Sequence, residues 1–386
     1  MSVELPLGFH EYVTSVGIKD SAPDFTLVVA DEQCHAAGVF TQSRFSGPSV
    51  TISRENVADH AARAVVVISK NANVATGSAG MDDAREIVAA IAKALSCKPV
   101  DVLIASTGVI GRPYPMHKIR AGILALPKSL SGSSADAVAR GIMTTDTVAK
   151  VAQSVVSGSN ARVVGVAKGV GMIEPNMATL IALMFTDAAI DSADIDQIFR
   201  RVIGRTFNCV SIDTDTSTSD TALILASGKY GAVDLGDFEN ALFEVALSLT
   251  KQVARDGEGA EKLIEVCVDG AKNNEQAKTV AKAIVNSPLV KTAIHGADPN
   301  WGRVAMAIGK CSQYLDIDQD SVVIRFGTLE VYPTRVDETA LKALSAYMNE
   351  SEVRIHVTLN TGSATSTVWG CDLTDGYVRI NADYTT

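Results

Sequence analysis

The sequence is short of several features that would settle its class at once. Across 386 residues no apolar run approaches the roughly 18 that a membrane span requires. The first residues, Met-Ser-Val-Glu-Leu-Pro-Leu-Gly, lack the basic and apolar regions of a signal peptide, so a soluble cytoplasmic protein is expected. Positive charge is in deficit: 34 Lys and Arg stand against 44 Asp and Glu, for a formal charge of −10. No basic stripe interleaves with aromatics, which argues against nucleic acid as a partner. Six cysteines (Cys34, Cys97, Cys209, Cys267, Cys311 and Cys371) lie far apart with no Cys-x-x-Cys pair, and are expected to be buried reduced thiols. The six histidines are equally scattered. His117 and His295 sit near conspicuous motifs, but neither has a partner at metal-ligand spacing, so both read as structural or supporting and no metal is expected. There is no Walker phosphate loop, and Gly169-x-Gly171 has Glu174 where a dinucleotide fingerprint needs glycine. A Gly-x-Ser-x-Gly elbow is missing too. No cofactor is called for.

What is present is an ordinary globular composition, 47% apolar and 20% charged, in a chain long enough for two or three packed subdomains. Strand-like and helix-like segments alternate, which predicts an α/β protein. Ala64 to Ser69, Val100 to Ala105, Arg162 to Ala167, Leu180 to Phe185 and Thr221 to Ala226 read as strands. Helical spacing marks Asp83 to Leu95, Asp191 to Phe207, Phe238 to Val253 and Asn274 to Val285. In the second of these helices the acids come early and Arg200, Arg201 and Arg205 late, as the helix dipole favours. From about residue 280 the pattern turns strand-rich: Ser321 to Phe326, Leu329 to Tyr332, Val353 to Leu359, Ser366 to Cys371 and Tyr377 to Ile380. One helix, Leu341 to Asn349, falls among them. A β-rich C-terminal subdomain over about 280–386 is therefore expected, and Ser129 to Ser134 reads as a surface loop.

The segment from Lys168 to Asp187 carries the most information. Gly169, Gly171 and the rigid Pro175 deliver the small pair Ala178-Thr179 to the start of an apolar run. Composition alone fits a Gly/Pro turn feeding a buried strand. The same arrangement suits a threonine that cuts its own chain, because a newly freed α-amine can serve as base for its own hydroxyl. Ser106-Thr107-Gly108 closes a buried strand, where a hydroxyl and a glycine N–H can aim at one developing oxyanion, or simply form a turn. Asp213 to Thr221, Asp-Thr-Asp-Thr-Ser-Thr-Ser-Asp-Thr, invites a calcium-loop reading but has Thr218 where an EF-hand needs glycine and Ile224 where it needs glutamate. A hydrogen-bonded network around a polar pocket fits it better.

These segments resemble the self-cleaving ornithine acetyltransferases, the glutamate N-acetyltransferases of arginine biosynthesis. The family's nucleophile follows a Lys-Gly-x-Gly-Met-x-x-Pro-x-Met-Ala-Thr stretch, matched here from Lys168 to Thr179. The likeness extends in order through Ala105 to Gly111, Met143 to Thr147, Asp213 to Thr221, Asp256 to Gly259, Ser287 to Thr292, Asp298 to Arg303 and Asn381 to Thr386. The first hundred residues fit more loosely. The resemblance implies a mixed α+β sandwich of the ornithine acetyltransferase and self-cleaving aminopeptidase type. It implies cleavage between Ala178 and Thr179 into fragments 1–178 and 179–386, which stay associated as a heterotetramer of two copies of each. By carry-over, Thr179 is the nucleophile and the Thr107 hydroxyl and Gly108 N–H form the oxyanion hole. Lys168, Glu258, Asn381, Thr386, Thr179 and one of Thr144 and Thr145 contact substrate. The implied cycle moves acetyl from N2-acetylornithine to Thr179 and on to glutamate. Amide is exchanged for amide, so neither ATP nor acetyl-CoA is required, although some members also accept acetyl-CoA.

Other readings remain at this level. The same threonine with water as acceptor would make a hydrolase, and a chain that keeps the fold without catalysis would bind or sense amino acids. The family usually has Gly and Asn where this chain has Thr214 and Ser219. With the departures at Lys70-Asn71-Ala72-Asn73, this allows a paralogue that serves a secondary-metabolite pathway.

Overall fold

A computed structural model describes residues 2–174 and 180–383. The first half of the chain runs β1 (Phe9–Thr14), β2 (Phe25–Phe40), α1 (Pro48–Asn56), β3 (Ala61–Ile68), α2 (Gly77–Leu95), β4 (Val102–Ser106), α3 (Met116–Leu124), α4 (Ala135–Gly141), β5 (Lys150–Val155) and β6 (Arg162–Lys168). It continues through β7 (Ile181–Ala189), α5 (Ser192–Arg205), β8 (Thr221–Ala232), α6 (Leu235–Arg255), β9 (Leu263–Ala271) and α7 (Asn274–Val285). The remainder comprises α8 (Pro288–His295), α9 (Trp301–Gly309), β10 (Val323–Phe326), β11 (Leu329–Tyr332), α10 (Glu338–Met348), β12 (Glu352–Thr358), β13 (Ala364–Cys371) and α11 (Asp375–Asp383).

Eight strands form one sheet in the order β4-β3-β2-β8-β7-β6-β5, with β1 paired to β2. Strand β2 is the key to its shape. Its 16 residues change register against β3 between Val29 and Cys34, and its second half pairs with β8 instead of β1. A bulge of this kind bends and twists a strand, and here it turns the sheet over on itself. The two layers meet through Val28, Ala36, Val65, Leu103 and Ala105 on one side and Val164, Val166, Leu183, Phe185 and Leu223 on the other. Outside the first layer lie α2 and α3, whose Ile87, Ile91 and Ile119 pack on Leu27, Val66 and Ile104. Outside the second lie α5 and α6, with Ile198, Phe199, Leu242 and Leu249 over Val163, Met184 and Ile224. The result is helices, two sheet layers, then helices. Side-chain caps fix several helix starts: Asp234 accepts from Gly236 and Asp237, Asn273 from Gln276, and Ser287 from Val290 ahead of Pro288.

The smaller sheet, in the order β11-β10-β12-β9-β13, makes the β-rich C-terminal subdomain. It incorporates β9, which lies ahead of residue 280, because Leu263–Ala271 is the strand between β12 and β13. Helix α7 packs on β9 and β13, and α6 touches both sheets, so one apolar core joins the outer face of the second layer to the smaller sheet. The expected strand from Tyr377 to Ile380 is wrong. Residues Asp375–Asp383 are the helix α11, with Asp375 in its first turn and an Arg379–Asp375 ion pair at 2.6 Å along it. The alternation of Val378 and Ile380 reflects no buried face, since they are 63% and 39% exposed. Lys168 is the last residue of β6 and is buried.

Candidate active site

The candidate site forms where the ends of the two sheet layers come together. In the first layer β4 stops at Ser106, and the Thr107 N–H donates to the Ile68 carbonyl at 3.0 Å. Gly108 has φ +129, and a Cβ there would lie 2.2 Å from the Lys70 carbonyl carbon and 2.5 Å from the Asn71 nitrogen. Only glycine meets both conditions. In the second layer Lys168 ends β6 opposite Ile181, the first residue of β7. Its Nζ crosses to Thr107 Oγ1 at 3.1 Å. An ammonium has donors only, so Thr107 accepts this bond and keeps its own hydroxyl hydrogen to donate elsewhere. Burial pushes the Lys168 ammonium down from its ordinary pKa, and the Asp146 charge opposes the shift.

Behind this pair lies a buried ion network. Lys150, wholly buried, donates to Asp146 at 2.8 Å and to Asp256. Asp146 also accepts the Gly169 N–H at 2.7 Å and the Thr144 N–H at 3.1 Å. Burial alone would raise the Asp146 carboxyl, but Lys168 and Lys150 together hold it below the usual carboxylate range. Asp256 accepts from both the backbone and the hydroxyl of Thr147. The network thus ties three separate motifs, 143–147, 168–171 and 256–259, into one wall. Thr144 is half-buried in it and Thr145 is exposed.

The facing wall is more open. The Glu258 N–H donates to the Val170 carbonyl at 2.8 Å, and its carboxylate lies so near Gly171 that a Cβ would stand 2.5 Å from an oxygen. Asn381, on α11, donates to Glu258 at 2.9 Å. Tyr377 of the same helix has its phenol pushed up to about 12 by burial and by the nearby Asp213 and Glu258 charges. The Asp213 carboxylate accepts the Met172 and Ile173 N–H groups, the latter at 2.7 Å, and the Glu174 N–H donates to the Asp215 carbonyl at 2.9 Å. The 213–219 loop therefore clamps the chain on its approach to Pro175. Burial raises the Asp213 carboxyl, with those backbone donors working against it. Thr214 adopts φ +69, a strained conformation for a β-branched residue, at the position where the resembled family usually has glycine. It lines a cavity of about 520 Å³ with Thr216, Glu174 and Lys278.

Of the residues expected from the sequence, Thr107, Gly108, Lys168 and the Thr144–Thr145 segment meet at the buried wall, and Glu258 and Asn381 meet at the open one. Ala178, Thr179 and Thr386 lie outside the described residues. His117 is exposed on α3. His295 does have partners, which its sequence spacing hides: its Nδ1 lies 3.2 Å from Asp372 and 3.6 Å from Glu261. Four cysteines are buried, but Cys97 and Cys267 are only half-buried, and all six are free. Sequence reasoning missed Asp146, Lys150 and Asp220 as buried ionisable groups and Asp256 as the partner of Lys150. A lone Lys or Asp in a sequence carries no mark of burial; the only local cue is the four-residue spacing from Asp146 to Lys150.

The family model described as "ArgJ family" matches residues 11–386. The chain is 57% identical over 381 residues to "Arginine biosynthesis bifunctional protein ArgJ 2" of Nostoc sp., covering 99% of this chain and 98% of that one. It is 54% identical over 387 residues to "Glutamate N-acetyltransferase Oat2" of Streptomyces clavuligerus, with 99% and 98% covered. A third relative, "Arginine biosynthesis bifunctional protein ArgJ" of Rhodococcoides fascians, is 50% identical over 389 residues, with 100% and 96% covered. Likeness over such lengths makes the protein a self-cleaving acyltransferase of the N-terminal-nucleophile kind, working through a threonine. The chain belongs to the ArgJ family. No helix among the described residues is long and apolar enough to cross a membrane.

Proposed function

We propose that the chain cuts itself between Ala178 and Thr179 and then moves acetyl from N2-acetylornithine to glutamate through an acetyl ester on Thr179. The observation that carries this reading is the Lys168–Thr107 contact at 3.1 Å, made at the strand ends where Lys168 lies opposite Ile181, the first residue of β7. Thr107 and the Gly108 N–H serve as oxyanion donors. Lys168 feeds positive charge to the Thr107 oxygen, so its hydroxyl is a stronger donor where negative charge develops. In the cut enzyme the free α-amine of Thr179 is the base. Its unperturbed pKa of about 7.7–8.0 leaves a usable neutral fraction near pH 7.

Glu258 and Asn381 bind the amino-acid part of the substrate, Glu258 through the charge of its carboxylate, with Thr144 or Thr145 and Thr386 completing the pocket. Fragments 1–178 and 179–386 stay together because β6 and β7, on either side of the cut, are hydrogen-bonded neighbours in one sheet. They assemble as two copies of each. The departures at Thr214 and Ser219 bear on which acceptor is preferred. The test mixes purified protein with N2-acetylornithine and glutamate and follows ornithine, N-acetylglutamate and acetate. N-acetylglutamate should accumulate in step with ornithine. Acetate in its place would make the protein a hydrolase, and a Thr179→Ala variant that still cuts and transfers would remove Thr179 from the reaction.

A further inference from the structure

Strands β9 and β13 pair antiparallel with Leu263 opposite Cys371, so Glu261, just ahead of β9, and Asp372, just after β13, leave the smaller sheet at the same end. His295, the last residue of α8, meets them there. The His295 Nδ1 and one carboxylate oxygen from each acid lie within 4.8 Å of one another. Nδ1 stands 3.2 Å from Asp372 Oδ2 and 3.6 Å from Glu261 Oε2. A charged N–H···O bond is shorter, about 2.7–2.9 Å, and a single N–H serves two carboxylates poorly. The spacing suits a cation between the three groups better. With bonds of about 2.0–2.2 Å to nitrogen and oxygen, two ligands of a tetrahedral zinc ion stand roughly 3.3–3.6 Å apart.

The donors are also held in place, as metal ligands usually are. Asp372, whose side chain is wholly buried, accepts the Glu261 and Lys262 N–H groups on Oδ1 at 2.9 and 2.8 Å, which leaves Oδ2 facing the imidazole. The buried Lys262 ammonium donates to the Ile294, His295 and Met348 carbonyls at 2.9, 3.1 and 2.8 Å. It thereby pins the ends of α8 and α10, and its charge faces the negative ends of both helix dipoles. The Glu261 side chain is 64% exposed, so it has room to close on an ion and to leave a further position to water.

We infer that His295, Asp372 and Glu261 form a site for a divalent transition cation of the zinc type, which ties together the two segments of the open wall. The ion is bound through one imidazole nitrogen and two carboxylate oxygens, with a fourth position open to water. Two carboxylates balance its charge. The nitrogen donor selects against Mg²⁺ and Ca²⁺, which prefer sets made of oxygen alone. Glu258 stands three positions before Glu261, and α11, which carries Tyr377 and Asn381, begins three positions after Asp372. The Thr374 hydroxyl already joins these segments by donating to the Gly259 carbonyl at 2.6 Å. A cation shared by Glu261 and Asp372 fastens them to each other and to α8.

The experiment strips the purified protein with a chelator and titrates it with ZnCl₂, CoCl₂ and MgCl₂, by calorimetry and by thermal melting. Zn²⁺ should bind once per chain and raise the melting temperature as its concentration increases. Co²⁺ should give the visible bands of a four-coordinate ion without the thiolate band that cysteine ligands would add, and Mg²⁺ should do neither. Glu261→Gln, His295→Phe and Asp372→Asn should each weaken Zn²⁺ binding by at least about 10–100-fold, the loss that even a supporting partner of a ligand produces. Glu261→Gln alters only an exposed side chain, and Asp372→Asn keeps an oxygen for the two backbone donors, so neither readout hinges on a damaged fold. Zn²⁺ should also slow hydrogen exchange over 258–262 and 372–378 in the wild type and not in Glu261→Gln. None of these readouts depends on acetyl transfer. No binding by the wild type, unchanged affinity in Glu261→Gln and Asp372→Asn, a thiolate band with Co²⁺, or equal binding of Mg²⁺ would each overturn the site. Binding that leaves exchange in both segments unchanged would overturn its role in the open wall.

Discussion

The two walls of the candidate site are built in different ways. The wall of Thr107, Lys168, Asp146, Lys150 and Asp256 is buried, and its charges are paired with one another before any substrate arrives. The wall of Glu258, Asn381 and Tyr377 is half-exposed and rests on α11 and on a loop laid across Gly171. Groups held in a dry, fully paired network cannot reorganise, which suits the stabilisation of a charge common to every acyl transfer. Groups at an open edge can meet ligands of different shape, which suits the choice of amino acid. On the proposed function the difference between the walls separates rate from selection, and the substitutions at Thr107, Glu258 and Asn381 below should move one without the other.

The largest effect should come from Lys150→Met. It removes the cation that the Asp146 and Asp256 carboxylates share and leaves only Lys168 acting on Asp146, and breaking a buried pair from one side costs about 3–5 kcal/mol. A denaturant titration should show that loss, and Lys150→Met together with Asp146→Asn should recover part of it. In the wild type Asp146 is held low, so its stabilisation is complete above its unfolded value near pH 4 and disappears as acid carries the pH through the lower folded value. Lys150→Met should flatten that acid limb. Next is Thr107→Val, which should lower kcat by about 10²–10³-fold, the usual loss for one oxyanion donor, and leave KM nearly unchanged. On the open wall Glu258→Gln should raise KM by roughly 10–100-fold, the equivalent of one charged hydrogen bond of about 1.5–3 kcal/mol, with little change in kcat. Asn381→Ala, removing a neutral donor that orients Glu258, should raise KM only about fivefold. A KM effect from Thr107→Val as large as that from Glu258→Gln would dissolve the distinction between the walls.

The sequence exposes these walls unequally. Segments whose apolar spacing repeats over several turns are recognisable: Asn274–Val285 is the helix that its pattern predicts, and Leu329–Tyr332 the strand. Strand β2 is not, because the exposed run from Asp31 to Gln33 at its bulge interrupts the apolar pattern, and the fold of the sheet depends on that bulge. Helix α11 misleads in the opposite direction: Val378 and Ile380 have strand character but no core to face. Thr107, Gly108 and Lys168 stand in motifs that a family resemblance picks out. Asp220 and Lys150 do not stand out, since their significance comes from burial, which is set by strands far away in the chain. The link from His295 to Asp372 spans 77 positions and is likewise beyond any local pattern.

The central claim is that the acetyl group passes through Thr179 at a freshly made N-terminus, and acid-quenched enzyme tests it most directly. Protein mixed with N2-acetylornithine in the absence of glutamate should be stopped within a turnover and digested, and its peptides weighed. The account predicts a C-terminal fragment beginning at Thr179, with one acetyl group on that residue that vanishes when glutamate is added before the quench. A single uncut chain in active enzyme, or an acetyl group on any other residue, would contradict it.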